Sequence, residues 1–385
     1  MTEAAHRAGS VLFPGHAGRQ NVPRLQEALR QHGLDAVVAS SVENVYYTCG
    51  VIFFIQRIVP ERMTCIVTPA SGDQTLVTVH VEDRLAEANA WVRDQRTYRE
   101  FEVPAMTLLA EVLRERGLGQ AKIGYEARHL AAAYVDDLRR LLPGATLVPG
   151  DEVFEEVRRI KLPHEIDILR YAARSSVKAV QSAFALSRAG DTETQVRDRM
   201  RATLADLGGH EAFIQIKTGP NTLIPHHYGT ERRFADGEVV HADCSGYFGA
   251  YLSDLARTGI AGCASQMQQD LYAKLFDALR SAIERATPGT PAGAVYDHCK
   301  AQLQRAGLDF RMPHVGHSLG LGYHEHPVFR PEDRTPLEAG MVMDVEPGVV
   351  GPDNQQYHVE DTILITEQGA EILSDYDGTP LYELG

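Results

Sequence analysis

The segment Val239-Val-His-Ala-Asp243-Cys-Ser-Gly-Tyr-Phe-Gly-Ala-Tyr-Leu-Ser-Asp254-Leu-Ala-Arg-Thr258 carries the chemistry from which the rest of the chain can be read. Its apolar start reads as a strand ending in the carboxylate of Asp243. Gly246-Tyr-Phe-Gly-Ala250 reads as a turn, and Tyr251 to Thr258 as the returning strand. Asp243 and Asp254 lie eleven residues apart, and a hairpin of that size brings them side by side on one face. Two adjacent carboxylates repel unless a proton or a cation sits between them.

Three further segments lie downstream. One is His314-Val-Gly-His317-Ser-Leu-Gly-Leu-Gly-Tyr-His324-Glu-His326-Pro327, the next Met343-Asp-Val-Glu346-Pro-Gly, and the last Tyr357-His-Val-Glu360-Asp-Thr-Ile-Leu-Ile. Each acid sits in an apolar, strand-like run, where an isolated ionised carboxylate is unaffordable and must be paired or metal-bound. Four carboxylates (Asp243, Asp254, Glu346, Glu360) are balanced by two divalent cations, with room for a bridging hydroxide. Oxygen donors plus the imidazole of His317 suit Mn, Co, Fe or Zn rather than a structural zinc site. Two such ions about 3.5–4 Å apart hold a hydroxide and polarise a carbonyl. Any one of these acids, taken singly, reads equally as a solvated charge or half of a salt bridge.

On these motifs the chain resembles the pita-bread metallohydrolases: prolidase, aminopeptidase P, methionine aminopeptidase and creatinase. Further segments share the resemblance. Leu34-Asp-Ala and Glu43-Asn-Val-Tyr-Tyr-Thr-Cys-Gly50 are similar to the creatinase-type N-terminal domain, and Arg159-Ile-Lys-Leu-Pro-His-Glu-Ile166 to the helix opening the catalytic half. Thr218-Gly-Pro-Asn-Thr-Leu-Ile-Pro-His226-His227 is similar to the segment bearing the first active-site histidine. The resemblance implies Asp243, Asp254, His317, Glu346 and Glu360 as metal ligands, with Asp254 and Glu360 bridging two ions, Asp243 on one and His317 with Glu346 on the other. It implies Glu346 as general base, and His226 and His324 as catalytic hydrogen-bond donors to substrate and oxyanion. His314 and His326 read as pocket lining or structural. The implied activity is hydrolysis of an amide C–N bond, with an Xaa-Pro dipeptidase or aminopeptidase first among the possibilities.

Two departures bear on substrate. Ser318 follows the metal histidine where prolidase-like members carry Gly, and Gly-His-Ser resembles creatinase. His358 stands where the peptidases tend to carry Arg, and an imidazole pairs with carboxylates only when protonated and reaches less far. A creatinase-like or other non-peptide C–N hydrolase is therefore a competing expectation. A catalytically dead binding protein is another, although such relatives generally lose ligands. Gly316-His-Ser318-Leu-Gly320 also matches the G-x-S-x-G elbow of serine hydrolases, but Gly320, Gly322 and Pro327 leave no room for the helix that motif needs.

Working toward the N-terminus, Ile166, Leu169, Ala173, Val177, Val180 and Phe184 mark one apolar face of a long helix within 152–188. Pro163 is placed near its start, Gly190 closes it, and Thr192 caps a following helix over 193–207. Helices are also expected near 267–286 and 291–306. Before that, helices over 22–32, 82–92 and 104–116 alternate with strands near 34–40, 63–67, 74–79, 122–125 and 146–148. The expected fold is an α/β creatinase-type N-terminal domain over 1–155 and an α+β pita-bread catalytic domain over 156–385. Residues 1–20 are polar and expected to fray.

Composition agrees. The 385 residues carry 38 Lys+Arg against 52 Asp+Glu, a net charge of −14, which argues against nucleic acid and anionic membranes as partners. No apolar run nears the ~20 residues of a membrane span, and the start reads as lacking a signal peptide. Five scattered cysteines without C-x-x-C fit a reducing cytoplasm. Tyr46-Tyr47 and Phe53-Phe54 read as core. The resemblance implies a homodimer acting on a dipeptide or small molecule, with Phe53 to Arg57 lining the neighbour's pocket.

Overall fold

The computed structural model describes residues 17–374 and 381–385, so the expected fraying of the first residues lies largely outside it. The chain packs as two units that divide after Arg158. In the first, six strands run β1 (Ala36–Ala39), β2 (Cys65–Pro69), β3 (Thr75–Val79), β4 (Asp94–Tyr98), β5 (Lys122–Tyr125) and β6 (Thr146–Pro149). They form one mixed sheet ordered β4-β3-β2-β1-β5-β6, with β1 antiparallel to β2 and parallel to β5. β1 (Ala-Val-Val-Ala) is buried throughout, as expected for a central strand covered on both faces. Val42–Cys49 is a helix, capped by the Ser41 side chain accepting from Asn44 N–H and ended by Gly50 at φ 79°. Tyr47 and Phe53 are core, whereas Phe54 is 60% exposed.

The helix-rich stretch begins with Asp151–Arg159, and the expected long helix of the second unit is Pro163–Ala185. Pro163 starts that long helix as the sequence predicts, its missing N–H harmless there, and Glu165 accepts from the Leu162 N–H at 2.7 Å. That helix ends at Ala185, so Gly190 (φ 89°) belongs to the following turn rather than closing it. Thr192 caps Glu193–Asp206 as the sequence predicts.

The strands that follow are β7 (His210–Thr218), β8 (Val239–Phe248), β9 (Tyr251–Leu252), β10 (Ala256–Ala261), β11 (His317–Ser318), β12 (Glu325–Val328), β13 (Val342–Val345), β14 (Gly348–Val350), β15 (Gln356–His358), β16 (Asp361–Thr366), β17 (Gly369–Ile372) and β18 (Tyr382–Leu384). One sheet is ordered β18-β10-β8-β7, with β9 on β8; another is β12-β11-β13-β16-β17, and β14 with β15 makes a ribbon. Helices Gln266–Arg285 and Ala292–Arg305 cover a core that includes Leu275, Leu279, Val295, Met343 and Ile363.

The Asp243 hairpin is longer than the sequence indicates. Gly246 to Phe248 remain in β8, paired with β7 and β9, and the reversal is the Gly249-Ala250 step. Glycine is tolerated in β8 because the aromatic ring of Phe248 fills the space beside Gly246.

Candidate metal centre

Strand alternation sends Gln215 and Lys217 of β7, with Asp243 and His241 of β8, to one face, because Gln215 lies opposite Asp243 and Lys217 opposite His241. Asp254 falls between β9 and β10, in a buried segment without regular pairing, while Ala256 occupies the position opposite Asp243. His317 opens β11, Glu346 follows β13, and Glu360 precedes β16. All five sequence-predicted acids and imidazole line one cavity of ≈ 490 Å³, together with His226, His314, His324 and His358.

The donor atoms converge. His317 Nε2 lies 3.4 Å from Glu346 Oε1 and 3.9 Å from Asp254 Oδ2. Its Nδ1 sits 3.2 Å from the Ser318 carbonyl, which fixes the proton on Nδ1 and leaves the Nε2 lone pair aimed at the acids. Burial pushes the His317 imidazole down to about 4 despite the Glu346 carboxylate, so it is neutral at pH 7, as a metal ligand must be. Asp254 Oδ1 accepts from Ser245 Oγ at 2.8 Å and Tyr323 Oη at 3.0 Å, and Asp243 Oδ2 from Gln215 Nε2 at 2.9 Å.

Two further acceptors have no partner. Asp243 Oδ1 and Glu360 Oε1 are buried without a hydrogen bond, and native interiors rarely leave such atoms bare. Burial and the neighbouring carboxylates push Asp254 and Glu360 well above the usual range, and burial moves Asp243 to about 6. Glu346 is the exception. Burial raises it, but His314 at 3.2 Å and His358 at 3.5 Å outweigh that and hold it below its ordinary value. A cation among these oxygens supplies what water cannot, and the donor set fits a divalent ion.

The structure adds residues that the motifs do not show. Asp254, His317, Glu360 and Asp344 offer donor atoms all within 4.8 Å of one another. Asp344 is fully buried, with both carboxylate oxygens unpartnered, and its Oδ2 is 3.9 Å from His317 Nδ1. Period-two alternation was the available signal, since Asp344 and Glu346 share a face. His358 Nε2 meets the Glu346 carbonyl at 3.0 Å while its Nδ1 meets His241 Nε2 at 3.0 Å, so the residue replacing the expected arginine extends an imidazole pair into the core. Ser318 is no nucleophile: its Oγ donates to the Val342 carbonyl at 3.1 Å and accepts from buried Lys161 at 3.0 Å, and no helix follows it. Lys161 also pairs with Glu325 at 3.2 Å.

His226 and His324 stand exposed at the rim of the cavity. His324 stacks on His317 with ring centroids 3.7 Å apart. His226 holds a left-handed φ of 54°, unusual for a residue with a Cβ. His314 lines the cavity as expected, whereas His326 is exposed and does not.

A buried carboxylate–imidazole cluster opening on a cavity between antiparallel strands defines a metal-dependent hydrolase. Residues 167–367 match metallopeptidase family M24, and residues 22–160 match the creatinase/prolidase N-terminal domain. The chain belongs to metallopeptidase family M24 and has the pita-bread fold. A putative dipeptidase, YkvY, of Bacillus subtilis is 26% identical over 92% of this chain and 97% of its own. The Xaa-Pro dipeptidase of Pyrococcus furiosus is 30% identical over 58% of this chain and 65% of its own. Among solved structures, dipeptidase PepE of Mycobacterium ulcerans superposes with a TM-score of 0.83 at 27% identity, covering 95% of this chain and 98% of that one.

Proposed function

We propose that this protein is a two-metal dipeptidase that cleaves Xaa-Pro or closely related amide bonds. The observation that carries the proposal is the set of buried, unpartnered carboxylate oxygens around a neutral imidazole in one cavity. Asp243, Asp254, His317, Glu346 and Glu360 would hold two divalent ions of the Mn, Co, Fe or Zn type. When bound, such ions supply Lewis acidity that polarises the scissile carbonyl and lowers the pKa of attacking water. Glu346, held ionised by its imidazoles, takes the proton of the attacking water and passes it to the leaving nitrogen. His324, stacked on His317, donates to the developing oxyanion, and His226, which lines the same cavity, orients the substrate. The relatives named as dipeptidases support the substrate class.

A second reading is favoured by His358 and Ser318. With no guanidinium at position 358 and Ser318 locked to Lys161, the cavity also suits a non-peptide C–N substrate. The protein loaded with Mn or Co is to be assayed against Xaa-Pro dipeptides, longer Xaa-Pro peptides, creatine and N-acylated diamino acids. Release of the amino acid from Xaa-Pro dipeptides is expected. Cleavage confined to creatine or acyl-diamino acids selects the second reading, and a folded protein that binds no metal overturns both. A homodimer is part of the proposal, with exposed Phe54 and Ile58 available to a second copy, as is a cytoplasmic setting for five unpaired cysteines.

A further inference from the structure

Lys217 is buried, at 6% exposure, on the cavity face of β7. Lysines are almost never buried unless paired. The other buried lysine obeys that rule, since Lys161 binds both Ser318 and Glu325. Lys217 makes no hydrogen bond and no ion pair with any described residue, yet it lines the cavity. The neighbours across the strand pair are His241, directly opposite in β8, and Asp243, two residues further along on the same face; neither makes a hydrogen bond or ion pair with it. His241 is fully buried, and an imidazole carries no negative charge, so it offers no counter-charge. Asp243 is committed elsewhere: one oxygen accepts from Gln215, and the other is unpartnered and assigned above to a cation. With its negative charge so used, the ammonium is left beside a cationic centre. The missing anion must then arrive with the ligand.

We propose that Lys217 is the anion anchor of the cavity, and that the enzyme selects substrates with a free carboxylate close to the scissile amide. This rests on the metal-hydrolase reading of the same cavity. An ammonium acts as a point charge on a flexible stem and tolerates a range of carboxylate geometries. It therefore serves an amino-acid leaving group of either kind of substrate considered above. A dipeptide carries its terminal carboxylate one residue beyond the scissile amide, whereas a longer peptide carries an uncharged amide there.

The test compares ligands that differ only in that charge. Binding of proline and prolinamide, and of N-acetylglycine and N-acetylglycinamide, is measured calorimetrically on the metal-loaded wild type and on Lys217→Met, with metal content determined in both. The wild type is expected to prefer each carboxylate over its amide by about 10–100-fold, the range of a buried charged hydrogen bond. Lys217→Met should lose most of that preference while keeping its metals. An unchanged preference in Lys217→Met overturns the proposal, as does a wild type that shows none. Loss of metal in Lys217→Met, with the preference retained at saturating metal, identifies the lysine as a structural counter-ion to Asp243 and also overturns it. Failure to cleave Xaa-Pro dipeptides alongside a Lys217-dependent carboxylate preference refutes the dipeptidase reading and leaves the anchor standing.

Discussion

Glu193→Gln tests how the loop that carries His226 is held. The Glu193 carboxylate is fully buried at the start of the 193–206 helix and accepts six hydrogen bonds. Oε1 takes the Thr218 N–H at 2.9 Å, Thr218 Oγ1 at 2.8 Å and Asn221 Nδ2 at 2.9 Å. Oε2 takes His227 Nε2 at 3.0 Å, with the Thr230 N–H and Oγ1 both at 2.9 Å. One carboxylate thereby closes the segment 218–230 around His226. An amide turns one of those oxygens into a donor that faces three donors. Each buried polar group left unsatisfied costs about 1–3 kcal/mol, and partial relaxation of the three leaves about 3 kcal/mol in total. For a unit of this size that lowers the unfolding temperature by about 6–12 °C. The acid limb supplies a second reading. Burial raises the Glu193 carboxyl, but Asn221, His227, Thr218 and Thr230 outweigh it and hold it below its ordinary value. A depressed carboxyl contributes stability that is complete above its unfolded pKa, about 4.3, and is lost as pH falls through the folded value. The gap between wild type and variant should therefore narrow below about pH 4. Thermal unfolding followed by circular dichroism from pH 7 to pH 3 measures both effects. A Glu193→Gln protein that melts within about 2 °C of wild type, with the same acid limb, refutes the reasoning.

Other perturbations reach the centre itself. Asp254→Ala should abolish metal binding and activity with circular dichroism unchanged, because it removes a buried donor that sits with His317, Asp344 and Glu360; metal analysis and kcat decide it, and retained metal sinks the ligand assignment. Gly316→Ala should disrupt the same centre through the backbone: Gly316 has φ 147°, and a Cβ there would lie 1.9 Å from the Asp344 carbonyl oxygen. Since that contact is with backbone, β11 must move and His317 with it, so a drop in metal affinity of at least about tenfold is expected by titration calorimetry. Without metal, the raised carboxyls make the folded state bind more protons than the unfolded one, so stability should fall as pH rises from about 4 through the Asp243 value of about 6. Saturating Mn or Co should remove that slope and raise the unfolding temperature, and equal melting curves with and without metal contradict the neutralisation argument.

Much of this molecule was legible in the chain. The acids at 243, 254, 346 and 360 and the histidine at 317 could be singled out because burial of charge within apolar runs has so few physical solutions. The helices began where caps and prolines put them, as at Pro163 and Thr192, because capping is satisfied by residues next to each other in sequence. The hairpin reversal was misplaced at Gly246, since glycine marks a turn locally but here yields its space to the ring of Phe248, a packing relation.

The sequence by itself determined the family, the layered α/β and α+β composition of the two units, and the residues able to hold cations, because all of these follow from local pattern and residue chemistry. Only the tertiary structure decided which oxygens stay without a partner, that Asp344 joins the cluster, that Ser318 is tied to Lys161, and that Lys217 faces the cavity unpaired. Those outcomes depend on strand register and on side chains brought together from distant segments, as Lys161 and Ser318 are across 157 residues. Register is set by the packing of whole sheets, and no short stretch of sequence contains it.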